Sequence, residues 1–402
     1  MRRRRRGGAR VLMLLQNASY PTDGRVLREA TALVAAGHSV TVACPRAPGQ
    51  PWRETLDGVR LVRFPTPTSH GGAAGFLLEY AVAAPALLGL ALEALVRDGV
   101  DVVHCHNPPD FLVPLAAVLR PFGARLVFDQ HDLSPELYSA RFGARARPWL
   151  RRALERLESR SWRLADHVIT SNASQRRIGA ARAGMPPEHA TVVRNGPDWR
   201  VLGRGPVDGA PRRPAARTVI GYGGCVGPQD GLEHLVRALA HLVGNGDGPD
   251  VHLLVVGDGD ALPAAREEAR RAGVLDRISF LGWRPYEEFL EWLAACDVCV
   301  APEPSNPYND SCTSLKVMEY MALGRAIVAV DLPEHRHSAG EAAAYVPPGD
   351  DVALADAIAA LAADPDRRVD MGATGLRRVH EELAWTHEAP ALLAAYQRLL
   401  GR

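Results

Sequence analysis

Lysine is all but missing from this 402-residue chain: of 47 basic residues, Lys316 is the single lysine and the other 46 are arginine. A coding sequence that uses arginine wherever the two are interchangeable leaves such a bias. The lysine that remains then marks a place where a compact ammonium matters. Cysteine is also scarce. Cys44, Cys105, Cys225, Cys296, Cys299 and Cys312 are scattered, and the one CxxC pair, Cys296 and Cys299, has no second pair to complete a zinc site. These read as thiols of a reducing, cytoplasmic protein, with no metal expected. A net charge of +1 gives no reason to expect nucleic acid as a partner. Long apolar runs are missing too. Tyr80–Leu92, the longest, lies between Glu79 and Glu93 and contains Pro85, which reads as too short to span a bilayer. Val11–Leu15 is too short for a signal segment, and the five arginines before it, Arg2–Arg6, read as a disordered tail within residues 1–9.

What is present is an ordinary soluble composition, 47% hydrophobic and 23% charged, in a chain long enough for two cores. The first part alternates strands and helices. Strands are expected over Arg10–Gln16, Ser39–Cys44, Val59–Phe64, Val100–His106, Arg125–Asp129, His167–Ser171 and Thr191–Arg194. Helices are expected over Gly24–Ala36, Ala74–Arg97 (interrupted near Pro85), Asp110–Arg120 and Arg147–Leu164. Residues 203–217 are rich in Gly, Pro and Arg without periodicity and mark a linker. The pattern then restarts with strands at Thr218–Tyr222, Val251–Val256, Ile278–Leu281, Val298–Ala301, Ala326–Val330 and Ala344–Val346. This predicts an α/β protein of two Rossmann-like, doubly wound parallel-sheet domains, residues 10–202 and 218–385, facing each other across a cleft. A C-terminal helix, 386–402, is expected to pack back toward the first domain. GYGGCVG from Gly221 falls short of a dinucleotide fingerprint, because Val226 stands where its third glycine belongs. GDGD (257–260) lacks the mixed-sheet context of an acidic metal motif.

The stretch 309–324, NDSCTSLKVMEYMALG, organises the second half. Asp310, Ser311, Thr313 and Ser314 are N-cap residue types. Leu315, Met318 and Ala322 fall at helical spacing, and Gly324 supplies a stop. A helix N-terminus at the end of a parallel strand attracts anions. Lys316 adds charge there, and Glu319, one turn on, is an acceptor suited to two vicinal hydroxyls, so phosphate beside a ribose diol is the expected ligand.

Six segments resemble the retaining glycosyltransferases of family 4: HNPPD (106–110), FDQHDLSPELY (128–138), RNGPD (194–198), GPQDGLEHL (227–235), SLKVMEYMALG (314–324) and DLPEHRHSAG (331–340). Together they are similar to a bacterial subgroup of that family over residues 10–400. The resemblance implies a GT-B fold whose second domain binds a nucleotide-sugar donor, with a UDP-sugar first and GDP- or dTDP-sugars as alternatives, and no cofactor or metal. By the same resemblance, Glu319 holds the ribose hydroxyls, backbone groups at Trp283 and Arg284 read the base, and Gly223 and Gly224 let the diphosphate approach. Cys225, Gly257, Asp258, Ser311, Thr313, Ser314, Leu315 and Lys316 complete the donor side. His131 lies near the anomeric carbon, and Asn107, Asp110, Asp132 and Glu136 face a lipid-linked or small-molecule alcohol acceptor. The chain departs from the family in having Ser311 in place of the first glutamate of a pair, and Cys225 and Asp230 in place of a basic diphosphate clamp. A sugar-nucleotide epimerase and a non-catalytic nucleotide-sugar binder are the alternatives. Residues 141–163 hold eight arginines against two glutamates, with Leu150, Ala153, Leu154, Leu157 and Leu164 on one face and Trp149 and Trp162 near its ends. The pattern is that of a covering helix of a Rossmann-like domain with its arginines solvated outside, or of a basic amphipathic helix in weak peripheral contact with the inner face of a membrane.

Overall fold

The computed structural model describes residues 8–66, 72–197, 214–244 and 249–401. Residues 1–7 of the expected Arg-rich tail and most of the 203–217 linker lie outside them, whereas Ala9, counted in that tail, is buried and donates its N–H to His38 Nδ1 at 3.0 Å. The chain forms two compact units: Met1–Tyr138 with Ala146–Arg194 and Glu388–Arg402, and Ser139–Arg145 with Asn195–His387.

The first unit is built on an eight-stranded sheet: β1 Arg10–Leu14, β2 Ser39–Pro45, β3 Arg53–Leu56, β4 Val59–Phe64, β5 Val102–His106, β6 Arg125–Gln130, β7 His167–Thr170 and β8 Ala190–Val192. Their order is β3-β4-β2-β1-β5-β6-β7-β8, parallel except for the β3–β4 pair. Runs such as Val102–His106 are buried throughout because helices cover both faces. β3 is not anticipated by the sequence reading, since Arg53–Leu56 is polar and exposed at the sheet edge. Its turn was legible: Asp57 (φ 50°) and Gly58 (φ 80°) are both left-handed, the Asp-Gly signature of a two-residue hairpin. Helices Ser134–Phe142 and Ala173–Ala183 also go beyond the expected set, and the expected helix over Asp110–Arg120 is a short helix, Leu112–Ala116, followed by a 3-10 turn.

The helix Gly72–Arg97 corrects two expectations. It is not interrupted at Pro85, and Leu78–Arg97 is long and apolar enough to cross a membrane, with a mean hydropathy of 1.5. Ala83, Leu87 and Ala91, one turn apart, are nonetheless buried in the core of the unit, as expected of a helix that covers a sheet.

The second unit carries six parallel strands: β9 Thr218–Gly223, β10 Val251–Val256, β11 Ile278–Gly282, β12 Val298–Ala301, β13 Ala326–Val330 and β14 Ala343–Val346. Their order is β11-β10-β9-β12-β13-β14. The helix Leu232–Val243 buries Leu232, Leu235, Val236, Leu239 and Leu242 at the spacing of one helical face. The chain winds outward in opposite directions from β1/β5 in the first sheet and from β9/β12 in the second. These are switch points, where loops at the carboxyl ends of strands diverge and leave a crevice.

Candidate functional site

At the switch point of the second unit, the turn after β9 and the loop after β12 are held together by Lys316. Its Nζ lies 3.0 Å from Asp230 Oδ1, 3.1 Å from Glu303 Oε1 and 4.9 Å from the centre of the Tyr222 ring. The side chain is buried. Burial pulls the Lys316 pKa down, but Glu303, Tyr222 and Asp230 outweigh it and hold the ammonium well above its usual range. Burial likewise raises Glu303, while Lys316 and His335 bring it far below an ordinary carboxyl. The lone lysine is therefore no bare point charge awaiting a phosphate. It already bridges two carboxylates, of which Glu303 was missed in the sequence because EPSNP reads as loop.

The expected capping cluster is corrected. The helix runs Leu315–Ala322, and Ser314 at its N-cap donates its hydroxyl to Glu303 Oε1 at 2.9 Å rather than capping the first turn. Asn309–Ser311 is a separate 3-10 turn, in which the Ser311 hydroxyl donates to the Pro307 carbonyl at 2.7 Å. Thr313 Oγ1 is 3.5 Å from Glu334 Oε2. For Ser314 and Thr313 a carboxylate distant in the chain outcompetes the local cap, and for Ser311 a carbonyl of its own turn does. Leu315, expected on the apolar face, is exposed, because Val317, Met318, Tyr320 and Met321 form the buried side. Gly324 ends the helix with φ 63°, as its position implies.

Glu319 Oε1 accepts from Tyr286 Oη at 3.0 Å, which places the carboxylate beside the helix Tyr286–Ala294 that follows β11. Trp283 and Arg284 lie just ahead of that helix, with Trp283 67% exposed. The glycine turns after β9 and β10 meet. Gly224 has φ 128° and Gly257 φ 149°, and a Cβ on Gly257 would fall 1.8 Å from the Gly224 carbonyl oxygen. Gly223 donates its N–H to Tyr320 Oη at 2.9 Å. Cys225 is exposed, with its carbonyl accepting from Tyr222 Oη at 2.6 Å. Asp258 Oδ1 accepts from the Gly259 N–H. The structure thus brings Gly223, Gly224, Cys225, Gly257, Lys316 and Glu319 to the carboxyl ends of β9, β10 and β12. Cys296 and Cys299 are buried thiols, away from those ends.

In the first unit, His131 follows the end of β6. Its N–H donates to Asn107 Oδ1 at 2.9 Å, and its carbonyl accepts from Gln175 Nε2 at 3.1 Å. Its Nδ1 is 3.4 Å from Asp129 Oδ2. The acceptor-side expectations need correction. Asn107, Asp110 and Glu136 are buried and turned into the domain. Asn107 donates to Asp110 Oδ1 at 2.8 Å and to the Asp132 carbonyl at 2.7 Å, stapling the loops after β5 and β6 together. Asp110 also accepts from Ser134 Oγ, and burial lifts its pKa to about 6. Glu136 is 2.6 Å from Arg182. Asp132 alone of the four is partly exposed.

Beneath His131 lies a buried network that sequence reasoning missed. Glu29, His104, His106 and Asp129 place ligand-type atoms within 4.8 Å of one another, a grouping that could hold a cation. Arg25 already supplies the positive charge, at 2.7 Å from Asp129 and 3.2 Å from Glu29. The signal lay in the alternation of VVHCH, which places His104 and His106 on one face of β5, with Asp129 opposite His106 on β6.

Residues 24–196 match the profile of the glycosyl transferase 4-like domain, and residues 217–364 that of glycosyl transferases group 1. The chain is 26% identical over 386 residues to the phosphatidyl-myo-inositol mannosyltransferase of Mycobacterium leprae, covering 93% of this chain and 92% of that one. Among solved structures, sucrose-phosphate synthase from Thermosynechococcus elongatus superposes with a TM-score of 0.79 at 21% identity, covering 98% and 99% of the two chains. Anabaena HepE in complex with UDP-glucose does so with a TM-score of 0.69 at 16% identity, covering 98% and 100%. The fold is GT-B, and the chain belongs to the glycosyltransferases that join a 4-like domain to a group 1 domain.

Proposed function

We propose that the protein is a retaining, metal-independent glycosyltransferase that moves a sugar from a nucleotide-diphosphate sugar to an alcohol. The observation that carries this reading is the pairing of Glu319 and Lys316 on one short helix beside two facing glycine turns, all at a switch point. A carboxylate for a ribose diol and backbone able to approach phosphate are what a nucleotide-sugar donor requires. UDP is the first choice of nucleotide, supported by the complex of the structural neighbour HepE with UDP-glucose; GDP and dTDP follow. The HNPPD, HDLSPELY and SLKVMEYMA stretches support membership of a bacterial subgroup of family 4, with polysaccharide, cell-envelope or natural-product assembly as its setting. His131 meets the transferred sugar, and stabilisation of the leaving diphosphate supplies most of the rate. A panel of UDP-, GDP- and dTDP-sugars tests the donor site, because a ligand at about 100 times its Kd stabilises the folded state by about 2.7 kcal/mol. One member of the panel is expected to raise the thermal midpoint, and turnover with it is expected to persist in excess chelator. No shift with any donor, or activity restored by magnesium or manganese after chelation, would contradict this reading. Isomerisation of the sugar would favour the epimerase, and binding without turnover the non-catalytic binder.

The acceptor is a lipid-linked or small alcohol, and the protein works in the cytoplasm, touching the inner leaflet through 141–163. One part of the membrane argument is corrected: Trp162 is fully buried and donates to Gln130 Oε1 at 2.7 Å, so it cannot serve as an anchor. Trp149, 63% exposed, remains, and Glu158, one of the two acids, is buried against Arg182, which leaves the outer face more basic. Weak co-sedimentation with anionic vesicles at low salt, lost at high salt, is the expected result. Equal pull-down by neutral vesicles would sink the membrane contact.

A further inference from the structure

We propose that Asp129 is the positioning residue for His131: gripped by the Arg25 guanidinium, it accepts the Nδ1–H of the imidazole and so leaves Nε2 as the nitrogen presented to the sugar. The proposal rests on the reading of His131 given above and adds what makes that histidine competent.

Asp129 is fully buried near the end of β6, where a lone carboxylate would be costly. Its charge is matched by Arg25, which enters from the first turn of the helix Gly24–Ala35. That turn is set by Asp23, whose side chain accepts from the N–H groups of Arg25 and Val26. Arg25 Nε donates to Asp129 Oδ2 and its terminal nitrogen to Oδ1, both at 2.7 Å, and a further nitrogen donates to the Val193 carbonyl at 2.9 Å. A two-point fork fixes the plane of the carboxylate as well as its charge. Oδ2, held in this way, is the atom that faces both His106 Nδ1 at 2.9 Å and His131 Nδ1 at 3.4 Å.

The backbone of His131 is pinned independently by Asn107 and Gln175. With main chain and Nδ1 both committed, the ring has one productive orientation and one neutral tautomer, Nδ1–H. The groups facing the ring oppose one another, and the carboxylates prevail. Burial lowers the His131 pKa, but the hydrogen bond and charge of Asp129, with Asp132, outweigh burial and Arg25 and raise it above the ordinary value. Behind His106, His104 stacks on it with ring centres 4.3 Å apart and is itself tied to Tyr396 Oη at 2.9 Å. Glu29, 3.6 Å from His104, is pushed up to about 7 by burial and by Asp129.

The competing explanation is that Arg25–Asp129 is only a buried ion pair holding the helix to the sheet. Two measurements on the full-length protein separate them. In ¹⁵N-imidazole spectra, with the His131 signals assigned by their absence in His131→Ala, neutral His131 is expected as the Nδ1–H tautomer with a pKa above about 6.5. The Nε2–H tautomer, or a pKa below that value, overturns the proposal, and this readout needs no variant of Asp129 to fold. Asp129→Asn is then expected to lower kcat by about 10–100-fold, the scale found for partners that orient metal-ligating histidines. The KM for the donor should change less than about twofold. In a His131→Ala background the same change should cost nothing further, because the two residues act as one unit. An equal loss in both backgrounds makes Asp129 structural. Should His131→Ala alone leave turnover intact, the reading of His131 fails, while the tautomer measurement still reports on Asp129.

Discussion

Lys316→Ala should abolish sugar transfer and also lower the thermal midpoint, whereas Glu319→Ala should abolish transfer while the fold stays intact. The contrast comes from their surroundings. Removing the Lys316 ammonium takes away the cation that bridges Asp230 and Glu303, and breaking a buried pair in this way costs about 3–5 kcal/mol. The buried partners tie the lysine to the fold. Lys316→Arg is the sharper test: a guanidinium keeps the charge but must place a planar fork where a compact ammonium meets two carboxylates and a phenol ring, beside Gly224. It should fold and lose most of its activity. Full activity in Lys316→Arg would remove the argument from the lone lysine. For Glu319→Ala, the loss should appear as weaker nucleotide affinity, measured by titration calorimetry with the nucleoside diphosphate. Unchanged affinity would remove Glu319 from the ribose.

His131→Ala should reduce kcat by about 100-fold or more with little change in nucleotide affinity. A group that positions or hydrogen-bonds the sugar in the transition state contributes to turnover, and the groups assigned to the nucleotide belong to the other unit. Equal loss of nucleotide binding would place His131 elsewhere than at the sugar. Retained turnover would reduce it to a structural histidine at a strand end.

The fold, and the gathering of Gly224, Lys316 and Glu319 at strand ends of one sheet, were legible in the sequence, because they depend on local pattern. Apolar runs such as Val251–Val256 and Val298–Ala301 mark buried parallel strands, and Gly224 and Gly324 mark turns that only glycine makes readily. Partners distant in sequence were not legible. Glu303 and Asp230 converge on Lys316 only once β9 and β12 lie side by side, and Arg25 reaches Asp129 across 104 residues of chain. Residue type misled where a polar side chain suggested a surface role. Asn107, Asp110 and Glu136 were expected to face an acceptor, and each is spent inside the domain because buried polar groups need partners. The Ser and Thr residues before Leu315 misled in the same way, since tertiary acceptors replaced the local cap.

The most direct test of retaining transfer from a nucleotide sugar is proton NMR of slow donor hydrolysis, recorded in real time without acceptor, using the sugar nucleotide that gives the largest thermal shift. Nucleoside diphosphate and free sugar are expected to accumulate together, and the first sugar to appear is expected to have the same anomeric configuration as the donor before mutarotation mixes the two forms. The opposite anomer appearing first would contradict retention, and an epimerised nucleotide sugar with no free sugar would contradict transfer itself.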